Sequence, residues 1–216
     1  MAIKVLQSDS MSDNDFALIL SILRRGGVIG FPTDTAYGLG VDPFNTSAVK
    51  RIFEIKGRTE AKPILLLVSS MNMAESIIEP NPLFHDIVRQ FWPGPLTVIV
   101  RAAETVPEII TAGTKTVGIR WPAARFANDL VDRCNHPLTA TSANRSGLPA
   151  AITAEEVAAQ LGNSVDALID GGVLSTRVGS TLLDLTLDPP VLVREGPVSF
   201  QSLHEFLDGR IRRQVA

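Results

Sequence analysis

Short apolar runs alternate with amphipathic helical stretches along this chain, and that alternation constrains its fold more than any other feature. VIGF (28–31), ILLLV (64–68), LTVIVR (96–101), TVGIRW (116–121) and VDALID (165–170) have the length and β-branched content of buried strands. Between them lie helical patterns near 13–25, 46–56, 71–78, 82–91, 123–133, 153–161 and 199–208. Ser12 is placed to cap the first, with Phe16, Ile19, Leu20 and Leu23 on one stripe and Gly26 and Gly27 ending it. Val49, Ile52 and Phe53 point inward from the second, and Gly57 stops it. Thr153 followed by an acidic turn opens the helix over 153–161. STLLDLT and VLVRE flank LDPP as a hairpin, and PTDTAYGLGVDP reads as a loop. Strands alternating with helices predict an α/β fold.

No repeat, linker or shift in composition divides the 216 residues, so one domain over 1–216 is expected. The net charge of −3 gives no overall attraction to nucleic acid or membrane, and anion binding must come from a local cluster. A lone cysteine, Cys134, excludes a disulfide framework, and its place on a helix face predicts a core position. The N-terminal residues carry no apolar signal segment, and no run is long enough to span a bilayer. A cytoplasmic protein is the expectation.

Three cations, Lys56, Arg58 and Lys62, crowd the turn between the second helix and the ILLLV strand. Lys56 alone is explained by the helix dipole, an effect of roughly 0.3–1 kcal/mol. That does not account for Arg58 and Lys62, and a pair of cations two residues apart can also grip a polyphosphate. The segment leaves both readings open. PTDTAYGLG (32–40) carries Thr33, Thr35 and Tyr37 at a strand's end, where α/β proteins place ligands, although polar surface loops have the same composition. In TATSANRSG (139–147), Ser142 and Asn144 stand two apart and offer neutral hydrogen bonders to an anion, or simply form a turn. Arg120 and Arg194 each end an apolar strand. His85, His136 and His204 lack metal-ligand spacing, and no Ser-His-Asp set or nucleophile elbow is present. Cations and neutral hydrogen bonders without a covalent catalyst suit phosphoryl or nucleotidyl transfer, which proceeds by positioning and charge neutralisation.

The ordered set GGVIGFPTDTAYGLG, KGR, FWPGPLTVIV, TAGTKTVGIRWPA, TSAN, GSTLLDLT and VLVREGP closely resembles the YrdC/TsaC family of threonylcarbamoyl-AMP synthases, over about residues 14–208. The resemblance implies a YrdC-like α/β fold, a twisted mixed β-sheet flanked by helices with a concave cationic cleft. It implies conversion of L-threonine, bicarbonate and ATP, with Mg2+ arriving on ATP, to threonylcarbamoyl-AMP and pyrophosphate. The product would feed threonylcarbamoyladenosine modification of tRNA, completed by a downstream transferase complex. The family's Lys-x-Arg and Ser-x-Asn tetrad falls on Lys56, Arg58, Ser142 and Asn144, as catalytic and nucleotide-binding groups. Its threonine-binding residues fall on Thr35, Arg120 and Ser180, with Arg120 expected near the threonine carboxylate or the nucleotide, and Arg194 is expected near the nucleotide.

The chain departs from the family where Leu67 replaces a histidine found in one branch and Thr141 replaces a common proline. Longer members also carry a second, C-terminal domain. Two other readings are weighed. Carbamoyl-adenylate chemistry occurs on related domains within much longer hydrogenase-maturation proteins. A non-catalytic RNA-binding protein could use Arg24, Arg25, Lys50, Arg51, Lys56 and Arg58 as a basic patch. A pI of about 5.6 and few aromatics for base stacking weigh against the latter.

Overall fold

The computed structural model describes residues 4–57 and 62–214. In chain order its first half comprises β1 (Lys4–Gln7), α1 (Asp13–Arg24), β2 (Ile29–Phe31), β3 (Gly38–Gly40), α2 (Thr46–Lys56), β4 (Leu66–Leu67), α3 (Met71–Glu75), α4 (Phe84–Phe91), β5 (Leu96–Arg101) and α5 (Glu108–Thr111). The second half comprises β6 (Thr116–Arg120), α6 (Arg125–Cys134), β7 (Leu138–Thr139), β8 (Thr141–Ser142), α7 (Ala154–Leu161), β9 (Ala167–Asp170), β10 (Thr181–Asp184), β11 (Val191–Arg194), α8 (Phe200–Phe206) and β12 (Arg212–Arg213).

The mixed sheet implied by the resemblance is present as two sheets. One has the order β1-β9-β2-β3-β8 and the other β12-β11-β10-β5-β6-β4-β7 among the described residues. Both combine parallel and antiparallel pairs: β2 runs parallel to β9 and antiparallel to β3, and β5 runs parallel to β10 and antiparallel to β6. Residues 138–142 step from one sheet to the other. Leu138 and Thr139 pair with β4, whereas Thr141 and Ser142 pair with β3. Thr139 locks the step, its Oγ1 accepting from Val41 N at 2.9 Å and donating to Leu39 O at 3.1 Å.

Local chemistry sets the helix ends. Ser12 and Asp15 form a reciprocal capping box at α1, Asn45 caps α2, and Thr153 caps α7 through Glu156 N at 3.1 Å. The buried face of α1 is Phe16, Ile19, Ile22 and Leu23, which pack with Ala127, Leu130 and Val131 of α6. Ile22 thus takes the core position that the sequence pattern gave to Leu20, which is half-buried. Each such fully buried aliphatic side chain contributes about 1.5–3 kcal/mol.

Several boundaries differ from the sequence reading. GLG (38–40) is not loop but strand β3, flat against β2. A Cβ on Gly40 would stand 2.9 Å from Phe31 Cε1 and 3.1 Å from Leu138 Cδ2, so glycine permits this close packing. Only Leu66–Leu67 of ILLLV is paired as a strand, because Ile64 N bonds instead to Ile110 O in the short helix α5. The helices expected over 71–78 and 82–91 contract to α3 and α4; Asn81 Oδ1 accepts from Leu83 N and makes a turn before α4. Strands β1 and β12 and helix α5 carry no clear pattern in the sequence. Cys134 is half-buried at the end of α6, and burial pushes its thiol up to about 12. Among the described residues no helix is long and apolar enough to cross a membrane.

Candidate active site

The face of the β10-β5-β6 sheet opposite the core forms the floor of a cavity of about 570 Å³. Strand alternation makes this possible. Val98, Val100, Val117, Ile119 and Leu183 turn into the main core cluster, while Thr97, Ile99, Thr116, Gly118, Arg120 and Leu182 turn to the cavity. The walls come from the 33–38 turn, the step between the sheets with Ser142 and Asn144, and the segment around Arg177 to Ser180. The volume lies in the range of small-molecule sites.

The 33–36 turn is organised by one hydroxyl. Thr33 Oγ1 donates to Ala36 O at 2.7 Å and accepts from Thr35 N at 3.2 Å and Ala36 N at 3.3 Å. This presents Thr35 Oγ1 to Arg120, whose Nη1 donates to it at 2.9 Å. Arg120 is 2% exposed, and its Nη2 lies 3.4 Å from Asp34 Oδ1. That approach is an ion pair by distance without hydrogen-bond alignment: both Asp34 oxygens and Arg120 Nε lack hydrogen-bond partners among the described residues. Burial pulls the Arg120 guanidinium below arginine's usual range, Asp34 opposes this, and Arg194 adds to it.

Ser180 Oγ and Thr97 Oγ1 share a hydrogen bond of 2.7 Å in the cavity floor, both residues buried. Arg194 reaches the same point, donating from Nε and Nη2 to Ser180 O at 3.2 and 2.8 Å. Its guanidinium packs over Gly179, where an added Cβ would stand 2.9 Å from Nη2 and displace the end of the arginine side chain. Burial lowers the Arg194 pKa as well.

Lys56, expected above as a catalytic and nucleotide-binding group, does not open to the cavity. It is 4% exposed and is not among the residues lining the cavity. Its Nζ donates to the carbonyls of Ser142 and Asn144 and to Asn144 Oδ1, the last two at 2.9 and 3.4 Å. The Lys56 carbonyl in turn accepts from Ser146 N at 3.0 Å. Asn144 Nδ2 donates to Leu148 O at 2.6 Å. The lysine therefore holds the Ser-x-Asn segment from behind. Arg58 lies outside the described residues.

The structure thus brings Thr35, Arg120, Ser142, Asn144, Ser180 and Arg194 to one cavity. Sequence reasoning missed Thr97, Asp34 and Arg177. Thr97 did carry a signal, as a polar residue inside the otherwise apolar run LTVIV. Arg177 sits at the cavity edge, where it pairs with Glu156 at 2.5 and 2.7 Å and donates to Ala150 O at 2.9 Å. Tyr37, buried in the wall, accepts from Gly171 N and donates to Gly172 O, both at 2.9 Å. Burial raises its hydroxyl to about 12. The basic patch considered for RNA is reduced, since Lys56 is buried and Arg51 pairs with Asp166 at 3.0 Å.

The family model Sua5/YciO/YrdC, described as "Telomere recombination", matches residues 21–196. The chain belongs to the Sua5/YciO/YrdC family. Its fold is accordingly the YrdC-like α/β fold. It is 39% identical over 191 residues to the threonylcarbamoyl-AMP synthase of Pyrococcus abyssi, covering 88% of this chain and 56% of that relative. It is 36% identical over 200 residues to the threonylcarbamoyl-AMP synthase of Bacillus subtilis, covering 91% of this chain and 58% of that one. The crystal structure of P. abyssi Sua5 complexed with L-threonine matches at a TM-score of 0.92 and 35% identity, over 99% of this chain and 63% of that structure. The chain spans a little over half the length of these two curated relatives.

Proposed function

We propose that this chain is a threonylcarbamoyl-AMP synthase, converting L-threonine, bicarbonate and ATP to threonylcarbamoyl-AMP and pyrophosphate. The observation that carries this reading is the meeting of two arginines, the buried Arg120 and the more exposed Arg194, with the hydroxyls of Thr35, Ser142 and Ser180 and with Asn144 around one cavity. The named activity of the relatives and the threonine bound to P. abyssi Sua5 support it.

In the proposed reaction the neutral amine of threonine adds to the carbon of CO2 derived from bicarbonate, losing a proton and giving a carbamate. A carbamate oxygen attacks the α-phosphorus of ATP, and the bond to the β-phosphate oxygen breaks to release pyrophosphate. Two anions must approach, and fixed cations screen their repulsion in a site of low dielectric. Arg120 receives the threonine carboxylate, with Thr35 and Ser180 reading its remaining polar groups. Arg194 serves the nucleotide. Ser142 and Asn144 orient carbamate and phosphate oxygens, and Lys56 fixes their segment. Arg58 is assigned to the phosphates on the strength of the resemblance. The described lining includes no Asp or Glu, so Mg2+ accompanying ATP would draw its ligands from phosphate and water.

The same reading assigns the chain to a single YrdC-like domain with its core about 14–208, a cationic cleft, a place in the cytoplasm, contact with tRNA, and a downstream transferase complex that consumes the product. The test is pyrophosphate release from ATP with L-threonine and bicarbonate added singly and together. Release that needs both is expected. Release independent of threonine would point to carbamoyl-adenylate chemistry, and no release from folded protein would overturn the proposal.

A further inference from the structure

Asp34 occupies an unusual position for a carboxylate. Both its oxygens are closed to solvent, neither has a hydrogen-bond partner among the described residues, and Asp34 does not line the cavity. The cation beside it is Arg120, 3.4 Å away. A carboxylate so placed faces the guanidinium rather than the cavity. Its influence on the site must pass through the guanidinium.

Arg120 is held at both ends of its fork, by Thr35 at Nη1 and by Asp34 beside Nη2. Its Nε has no partner among the described residues. A guanidinium carries five N–H donors, so several stay uncommitted while the plane is fixed. Burial and the nearby charge of Arg194 both disfavour the Arg120 cation, and Asp34 opposes them.

We infer that Asp34 is the positioning residue for Arg120 and thereby sets the affinity for the carboxylate of the amino-acid substrate; this rests on the proposed function above. Two effects of Asp34 oppose each other. Its charge repels a second carboxylate across the guanidinium, but that repulsion acts over a longer distance than either attraction to Arg120 and is the weaker. Carboxylate recognition by arginine depends on the orientation of the fork, which Thr35 holds by its hydrogen bond and the adjacent Asp34 charge favours. Removing the charge should therefore weaken threonine binding.

The test is steady-state pyrophosphate release by Asp34→Asn with threonine and ATP varied in turn. The KM for threonine should rise roughly tenfold, with the KM for ATP within about twofold and kcat changed less than the threonine KM. Wild-type protein should reject L-threonine amide, whose carboxylate is blocked, more strongly than the variant does. A purely structural role would not move that ratio. Should Asp34→Asn fail to fold, Asp34→Glu keeps the charge, displaces it by one methylene, and should raise the threonine KM selectively. A threonine KM that is unchanged or lowered, or an equal rise for ATP, overturns the inference. Wild-type protein without threonine-dependent release overturns the functional reading instead.

Discussion

Lys56 Nζ donates to the Asn144 carbonyl at 2.9 Å across 88 residues of sequence. The lysine at the end of α2 and the asparagine after β8 are thereby one structural unit. Lys56→Met should lose both activity and stability, because the buried Asn144 carbonyl is left without its donor and the Ser142 carbonyl loses one of two. The expected cost is about 2–3 kcal/mol. Chemical denaturation alongside pyrophosphate release checks this. A variant that is inactive yet fully stable would return Lys56 to a direct role on the phosphates, as the sequence reading has it.

Thr97 and Ser180 form the second such unit, 2.7 Å apart in the floor. Thr97→Val keeps the shape and removes the hydroxyl, leaving Ser180 Oγ short of a partner at about 1–3 kcal/mol. The threonine KM should rise. Adding Ser180→Ala should cost less than the sum of the two single changes, since neither hydroxyl is then orphaned. A double-mutant cycle in denaturant measures this directly.

Gly118 separates packing from function. A Cβ there would meet Thr97 Cγ2 at 3.4 Å, an ordinary contact, so Gly118→Ala should leave Tm nearly unchanged. It nevertheless fills part of the floor and should raise the threonine KM. Gly40→Ala is the contrast: its Cβ would press on Phe31 at 2.9 Å, and overpacking should cost about 1–3 kcal/mol. Thermal unfolding of the two variants side by side tests the pair.

Glu156 clasps Arg177 and accepts from Ile152 N, and these contacts lower its pKa from 4.5 to about 2. A carboxyl depressed in the folded state stabilises fully above its unfolded pKa and loses that contribution as pH falls through the folded one. The Tm difference between wild type and Glu156→Gln should be constant above about pH 5 and shrink toward pH 2. A difference independent of pH across that window would show that the clasp does not act through charge. Arg177 is exposed and Glu156 half-exposed, so the effect should also weaken with salt.

Much of the architecture was legible because its causes are local. Ser12, Asn45 and Thr153 cap helices through residues three positions away, and the apolar runs announce strands without reference to their partners. Thr35, Arg120, Ser142, Asn144, Ser180 and Arg194 could be proposed as a set because their motifs resemble a family. The local pattern failed at GLG, where glycines that look like loop residues sit in a strand packed against Phe31. It failed again at ILLLV, where α5 takes the hydrogen bond of Ile64.

By itself, the sequence determined that the chain is α/β, where most helices begin and end, and which strand ends carry polar and cationic groups. Periodicity and capping are set within a few residues, so they can be read along the chain. The tertiary structure alone decided that Lys56 turns inward to hold Ser142 and Asn144, that Thr97 meets Ser180, and that Asp34 lies behind Arg120. Those contacts span tens of residues and depend on strand order, with β5 lying between β10 and β6 and the chain crossing between sheets at Ala140. Strand order follows from how the whole set of apolar faces buries itself, and no local stretch of sequence encodes it.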